Sequence, residues 1–334
     1  MLNTYGSPKA YALPGPCDRA YTIQARVISP DPGFPLMSSA PATNPPNPNA
    51  LPAAIGFMGI ALVSFAAMAI SVRELTDTMR PFQILAFRSI FGVIVVPVLA
   101  LAMGRLGEIR TGQFRLQLLR NTVHYGGQWF WAFGVASLPL ATVFALEFTA
   151  PAWAALLAVL VLGERMNPGR VLSVVCGLLG VVVILRPGME SISLAAISVL
   201  AAAFCYGVSH IGTKKLTRTD GVLAIVFWMS LLQLPMGLIP ALYDWAPVAW
   251  SDMPAILSLG ISALGAHYGL SNALRRADAT VVIPLDFLRL PLIAVAGFLF
   301  YAEGLDPMVL IGGGIIFVGI LLSLYFEQRA RKPL

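Results

Sequence analysis

Apolar residues arrive in long, almost uncharged blocks. From about residue 53 onward, stretches long enough to cross the ~30 Å hydrocarbon core of a bilayer recur with short polar breaks between them. Ten such spans are predicted, at about 53–72, 82–103, 115–137, 139–161, 169–185, 193–212, 221–242, 253–274, 279–301 and 308–326. The breaks carry turn chemistry: Thr76-Asp77 before Pro81, Leu138-Pro139, Asn167-Pro168-Gly169, Arg186-Pro187-Gly188 and Asp306-Pro307. Residues 1–52 are different in kind, rich in Pro, Ser, Asn and Gly, and are expected to form a disordered tail. That tail reads either as dispensable or as an extension upstream of a start at Met37. Residues 327–334 form a short basic C-terminal tail.

Composition names the solvent. The chain is 57% hydrophobic and 11% charged, against about 25% charged for a soluble domain, so the apolar surface must face lipid. The predicted fold class is therefore an all-α integral membrane protein. Cys17, Cys176 and Cys205 show no paired spacing, which argues against a disulfide framework or a metal site. No metal or cofactor is expected. The net charge of +6 would fit a nucleic-acid partner in a soluble protein, but here the basic residues lie between spans, where they set topology. With the N-terminus inside, the inner segments hold thirteen basic residues, among them Arg105, Arg110, Arg115, Lys214 and Lys215, against Arg73, Arg80 and Arg186 outside. The positive-inside rule then places both termini in the cytoplasm.

The two halves share a pattern. Glu147, Glu164, Pro168 and Gly180 reappear as Asp286, Glu303, Pro307 and Gly319, each displaced by 139 positions. Five spans fit in that interval, and five is odd, so the second copy is expected upside down relative to the first. The division runs 53–188 and 189–326. Inverted five-helix repeats are the architecture of alternating-access carriers, with the substrate site near the midplane between copies.

The text LEFTAPAWAALLAVLVLGERMNPGRVLSVVCGLLGVVVILRPG, residues 146–188, resembles the EamA-type repeat of the drug/metabolite transporter superfamily. The second copy, Leu285 to Gly319, keeps Glu303 but reads Tyr301-Ala302-Glu303 where the family usually has Leu-Gly-Glu. The resemblance implies a ten-helix secondary carrier of a small metabolite in a bacterial inner membrane. The LDFLRLP text also looks like members described as S-adenosylmethionine or riboflavin uptake proteins.

Charge at membrane depth costs ~2.5–3.5 kcal/mol on insertion scales, which makes every intramembrane ionisable group a functional candidate. Glu147 and Arg88 fall at similar depth from the outer side and could pair, while Arg289 lies three positions after Asp286 on the same helical face. The two acids are read as holding a cationic group or a proton, and the two arginines as contacting a carboxylate or phosphate. Structural ion pairing is the alternative. His124 and His267 are candidates for proton relay or interhelical hydrogen bonding. In span three, Tyr125 and the Trp129-Phe130-Trp131 run would either stack an aromatic substrate or pack in the core. Trp245 and Trp250 fit an interfacial belt. Gly177, Gly180, the Gly312-Gly313-Gly314 run and Gly319 offer faces for helix packing or for a glycine-mediated homodimer. No phosphate-loop signature accompanies them. The expected partners are a small-molecule substrate and the lipid bilayer, with no nucleic acid. A membrane receptor or assembly subunit and an intramembrane enzyme are the competing classes.

Overall fold

In the computed structural model the described residues are 50–162, 168–187, 193–216, 219–274, 276, 282 and 285–331. They form no β-strand, two short 3-10 turns at Leu106–Ile109 and Trp250–Asp252, and eleven α-helices: α1 (Ala50–Thr76), α2 (Pro81–Ala102), α3 (Phe114–Ser137), α4 (Leu140–Glu147), α5 (Ala150–Leu162), α6 (Pro168–Leu185), α7 (Leu194–Leu216), α8 (Val222–Tyr243), α9 (Met253–Leu274), α10 (Arg289–Tyr301) and α11 (Pro307–Arg331). Three of them, α2, α6 and α11, open on proline, whose missing N–H costs nothing at the first helical position. Residues 1–49, 163–167 with Glu164, and most of 277–284 lie outside the described residues.

Among the described residues, seven segments are long and apolar enough to cross a membrane, with α4 and α5 counting as one. Two further helices are apolar but short, Val171–Leu185 and Arg289–Tyr301. The remaining long helix, α3, owes its absence from the seven to Gln117, Arg120, Asn121, His124 and Gln128. These side chains also mark the inverted polarity of the molecule. Gln83, Gln117, Asn121, Gln128, Gln233 and Arg289 are buried, while Val63, Leu119, Leu160, Leu299 and Phe300 are exposed. Such a surface is stable only against acyl chains, with polar groups satisfied inside.

Helix packing repeats the sequence interval. The helix α5 begins at Ala150 and α10 at Arg289, α6 at Pro168 and α11 at Pro307, and both differences (289 − 150 and 307 − 168) are 139. Exchanging the copies turns α1–α9 contact into α7–α3 contact and α5–α7 into α10–α1, and returns α2–α8 and α6–α11 to themselves; all of these pairs are in contact. Within α6–α11 the approach is close. A Cβ at Gly180 would meet the Gly312 carbonyl at 2.6 Å, and one at Gly312 would meet the Gly180 carbonyl at 2.7 Å. Packing within the chain is thus where the structure uses these two glycines.

Span four was expected to be continuous, but it tightens at Phe148–Thr149 between α4 and α5. Pro151 cannot donate to the Glu147 carbonyl four residues back. Thr149 takes the local slack: its N–H and its hydroxyl both donate to Leu146 O, at 3.1 and 2.7 Å. The same event recurs 139 positions on, where the Leu288 N–H donates to Leu285 O at 3.1 Å ahead of Pro291. Each repeat-related acid is therefore the last helical residue before an interruption.

The ends are latched. On the face bearing Arg73, Arg80 and Arg186, each arginine meets an acid: Arg73 with Glu303 at 3.2 Å, Arg80 with Asp244 at 2.7 Å, and Arg186 with Asp306. Glu303 also accepts the Leu140 N–H at 2.7 Å, tying the start of α4 to the end of α10. At the opposite ends, Asp220 before α8 accepts from Thr111, the Gly112 N–H, Gln117 and Thr219. Burial alone would raise the Asp220 carboxyl, but these donors together hold it below the ordinary carboxylate range.

Glu303 reaches its partners because Ala302 adopts a left-handed backbone, φ 51° and ψ 30°, so that the Glu303 N–H returns to Gly297 O at 3.1 Å. That conformation strains a residue with a Cβ by about 1–2 kcal/mol and is free for glycine. The departure from Leu-Gly-Glu is thus a local penalty. Ala302→Gly is expected to stabilise the protein by about 1 kcal/mol, the strain relief exceeding the added chain entropy. A raised thermal midpoint in detergent micelles is the expected result, and a lowered one would contradict the assignment.

Candidate functional site

The interruption in α4–α5 and its counterpart ahead of α10 bring Glu147, Asp286 and Arg289 to one place. A single guanidinium nitrogen of Arg289 lies 3.5 Å from Glu147 Oε1 and 3.6 Å from Asp286 Oδ2. The two acids therefore sit at one level on a shared cation, although they belong to different copies of the repeat. The side chain of Arg289 is 8% exposed, and those of Glu147 and Asp286 are 16% and 22% exposed. Its walls are aromatic: the guanidinium stands 4.4, 5.1 and 4.9 Å from the ring centres of Phe65, Phe144 and Phe148. Such faces stabilise a cation while keeping water away. Trp131 donates its indole N–H to Glu147 Oε2 at 2.8 Å.

This geometry corrects one expectation. Arg88 does not pair with Glu147, whose ion-pair partner is Arg289. Equal depth along two spans says nothing about lateral position, and α2 contacts α8 and α9 far more closely than the α4–α5 joint. Arg88 instead lines a cavity between α2, α8 and α9 with Ser89, Ser230, Gln233 and His267. The pairing of Asp286 with Arg289 is present as expected, three residues apart.

The other candidates divide. His124 packs its ring 5.4 Å from that of Tyr206 and lies within electrostatic reach of Arg88, Arg120, His210 and His267. Its Nδ1, the Tyr125 hydroxyl and the Gln128 amide nitrogen are buried without a hydrogen-bond partner. Trp129 sits in an aromatic group, stacked on Phe133 at 6.0 Å and tilted against Phe82 at 5.6 Å, away from the acids. Two residues further on, Trp131 is the member of the cluster that reaches the site. Arg120, Tyr206 and His210 were not singled out from sequence. Of these, Arg120 carried a usable signal, a charge six residues inside the predicted start of span three.

Comparison with known proteins places this arrangement. The profile of the EamA-like transporter family matches residues 52–186 and again 193–325. The chain belongs to the EamA-like transporter family. The paired match is the repeat found above, and it makes this EamA protein a multi-pass, small-molecule transporter. It is 25% identical over 276 residues to the S-adenosylmethionine uptake transporter of Rickettsia felis, covering 83% of this chain and 94% of that one. It is 32% identical over 205 residues to the riboflavin transporter of Rhizobium johnstonii, covering 61% and 68%, and 28% identical over 242 residues to that of Vibrio cholerae, covering 72% and 81%. A crystal structure 19% identical to it superposes with a TM-score of 0.59 over 84% of this chain and 99% of the other, a likeness of fold.

Removing the cation of a buried cluster leaves its anions uncompensated, at a cost of ~3–5 kcal/mol. Arg289→Met is accordingly expected to lower the thermal midpoint of the purified EamA protein sharply. The check is size-exclusion chromatography after heating in detergent micelles. A midpoint like that of the wild type would show that Arg289 does not neutralise the two acids.

Proposed function

We propose that this EamA protein is a secondary carrier of ten membrane-spanning helices, built as two inverted five-helix repeats at 53–188 and 189–326, and that Glu147, Asp286 and Arg289 form its central exchange site. In this reading α3, α6 and α10 complete the count begun by the seven long apolar segments. Both termini are cytoplasmic and the membrane is a bacterial inner membrane. The inward side is then the one with Arg105, Arg110 and Arg115, where Asp220 forms its latch, and the outward side is the one closed by Arg73–Glu303.

The observation that carries the proposal is the charge balance at the joint. Two carboxylates share one guanidinium, and Asp286 Oδ1 is buried without a hydrogen-bond partner. The cluster lacks one positive charge, which a proton or the cationic end of a substrate supplies. Because the acids stand at the interruptions in repeat-related spans, rocking of one copy against the other changes which side the cluster faces without moving it across the bilayer. The substrate class is that of the relatives, a small metabolite such as S-adenosylmethionine or riboflavin. Of the two, S-adenosylmethionine carries the ammonium and sulfonium charges that the acid pair favours.

Glu147→Gln and Asp286→Asn each keep the side-chain shape and remove an anion. Uptake of labelled S-adenosylmethionine and riboflavin into proteoliposomes is expected to fall at least about tenfold for each variant, a change of about 1.4 kcal/mol in the barrier. The variants should remain monodisperse, since each retains one carboxylate for Arg289. Wild-type flux in both variants would contradict the proposed exchange site. Binding of either compound without its translocation would favour a receptor instead.

A further inference from the structure

A second group of basic residues, Arg88, Arg120, His124 and His267, gathers in the interior without forming ion pairs to Glu147 or Asp286 among the described residues. Arg88, on α2, has neither a hydrogen bond nor an ion pair among the described residues, and it faces the cavity lined by Ser89, Ser230, Gln233 and His267. Arg120, on α3, bonds only to neutral groups, to Thr213 at 3.1 Å and Asn121 at 2.6 Å. His124 and His267 lie within electrostatic reach of both arginines. No carboxylate of the described residues forms an ion pair with either arginine, while Arg289 is already occupied by Glu147 and Asp286.

A guanidinium held inside a membrane protein without an anion is costly, and the cost is tolerated where a ligand supplies the missing charge. Its planar fork matches a carboxylate or phosphate, and the Gln233 amide, which gives one N–H to the Asn121 carbonyl at 3.4 Å, keeps a second N–H to offer, whereas Ser89 and Ser230 donate to Leu85 O and Val226 O of their own helices. The small residues around it bring the walls close together, leaving a cavity of about 10 Å³. Gly92 and Gly260 line the same cavity, and a Cβ at Gly92 would collide with the Ser230 side chain. The buried, unpartnered Gln128 amide nitrogen and His124 Nδ1 on α3 belong to the same interior.

We propose that the cavity between α2, α8 and α9 is an anion site, in which Arg88 binds the carboxylate or phosphate head group of the carried compound with Arg120 reinforcing the field. This deepens the carrier reading, on which its place in the transport cycle rests, by assigning opposite ends of the substrate to opposite charges. Arg289, one of the two arginines expected to hold an anion, is excluded from that role by its own carboxylates.

The test is binding to purified protein in detergent micelles, read as the shift in thermal midpoint with four small probes of one shape: benzoate, phenyl phosphate, neutral benzamide and cationic benzamidine. Benzoate or phenyl phosphate is expected to stabilise the protein and benzamide is not, and the larger of the two anion shifts identifies the head group. Arg88→Gln should weaken the anion's apparent affinity at least about tenfold, one bidentate charge-assisted contact being worth about that much. Arg88→Lys, which restores the charge without the fork, should recover part of it and guards against a folding defect. Equal stabilisation by benzamide, no shift with either anion, or an unchanged anion shift in Arg88→Gln would overturn the site. Since none of these readings involves flux, failure here is distinct from failure of the carrier reading in proteoliposomes.

Discussion

A carboxylate inside a bilayer must meet positive charge or be neutralised, and in this protein two carboxylates from different halves of the chain meet on one guanidinium. That arrangement constrains much of what surrounds it. Glu147 and Asp286 can share Arg289 only if the two copies of the repeat face each other across a common interior. The aromatic faces of Phe65, Phe144 and Phe148 lower the cost of holding the cation there. Trp131 satisfies a second oxygen of Glu147 from a third helix, so that α3, α4 and α10 are held to one point.

The backbone is adapted to the same point. Proline at 151 and 291 deprives the preceding turn of a donor, and the chain tightens where each acid lies. Proline alone does not bring this about: Pro97, Pro235 and Pro240 lie inside continuous helices. At Thr149 the hydroxyl offers the Leu146 carbonyl an alternative partner, and the interruption follows. Irregular backbone at membrane depth is tolerated where it borders an interior rather than lipid, which is where these joints are.

Much of this was legible in the chain. For nine of the ten spans the limits lie within five residues of the observed helices, the start expected for span nine at 279 falling outside the described residues, and the 139-residue interval found from four positions also relates the starts of α5 and α10. The family match falls on the same two halves. What was not legible is lateral. Depth can be counted along a span, but two residues at equal depth can lie on opposite sides of a bundle, so equal depth could suggest an Arg88–Glu147 pair that the fold does not form. Side-chain direction is equally hidden, so Trp131 and not Trp129 reaches the acid. The prolines of LEFTAP and LDFLRLP announced the interruptions, but apolar length outweighed them. His210 carries no such signal in the chain, yet it lies within electrostatic reach of His124 and Arg120.

The shared guanidinium can be tested by compensation. If Arg289 is unstable to replace because it leaves two buried anions, then removing one of those anions must help: Arg289→Met combined with Glu147→Gln should be more stable than Arg289→Met alone. Thermal midpoints of the wild type, the two single variants and the double variant in detergent micelles give the coupling, expected at ~1–3 kcal/mol for groups in direct contact. A double variant no more stable than Arg289→Met would contradict a common cation and separate the two acids from one another.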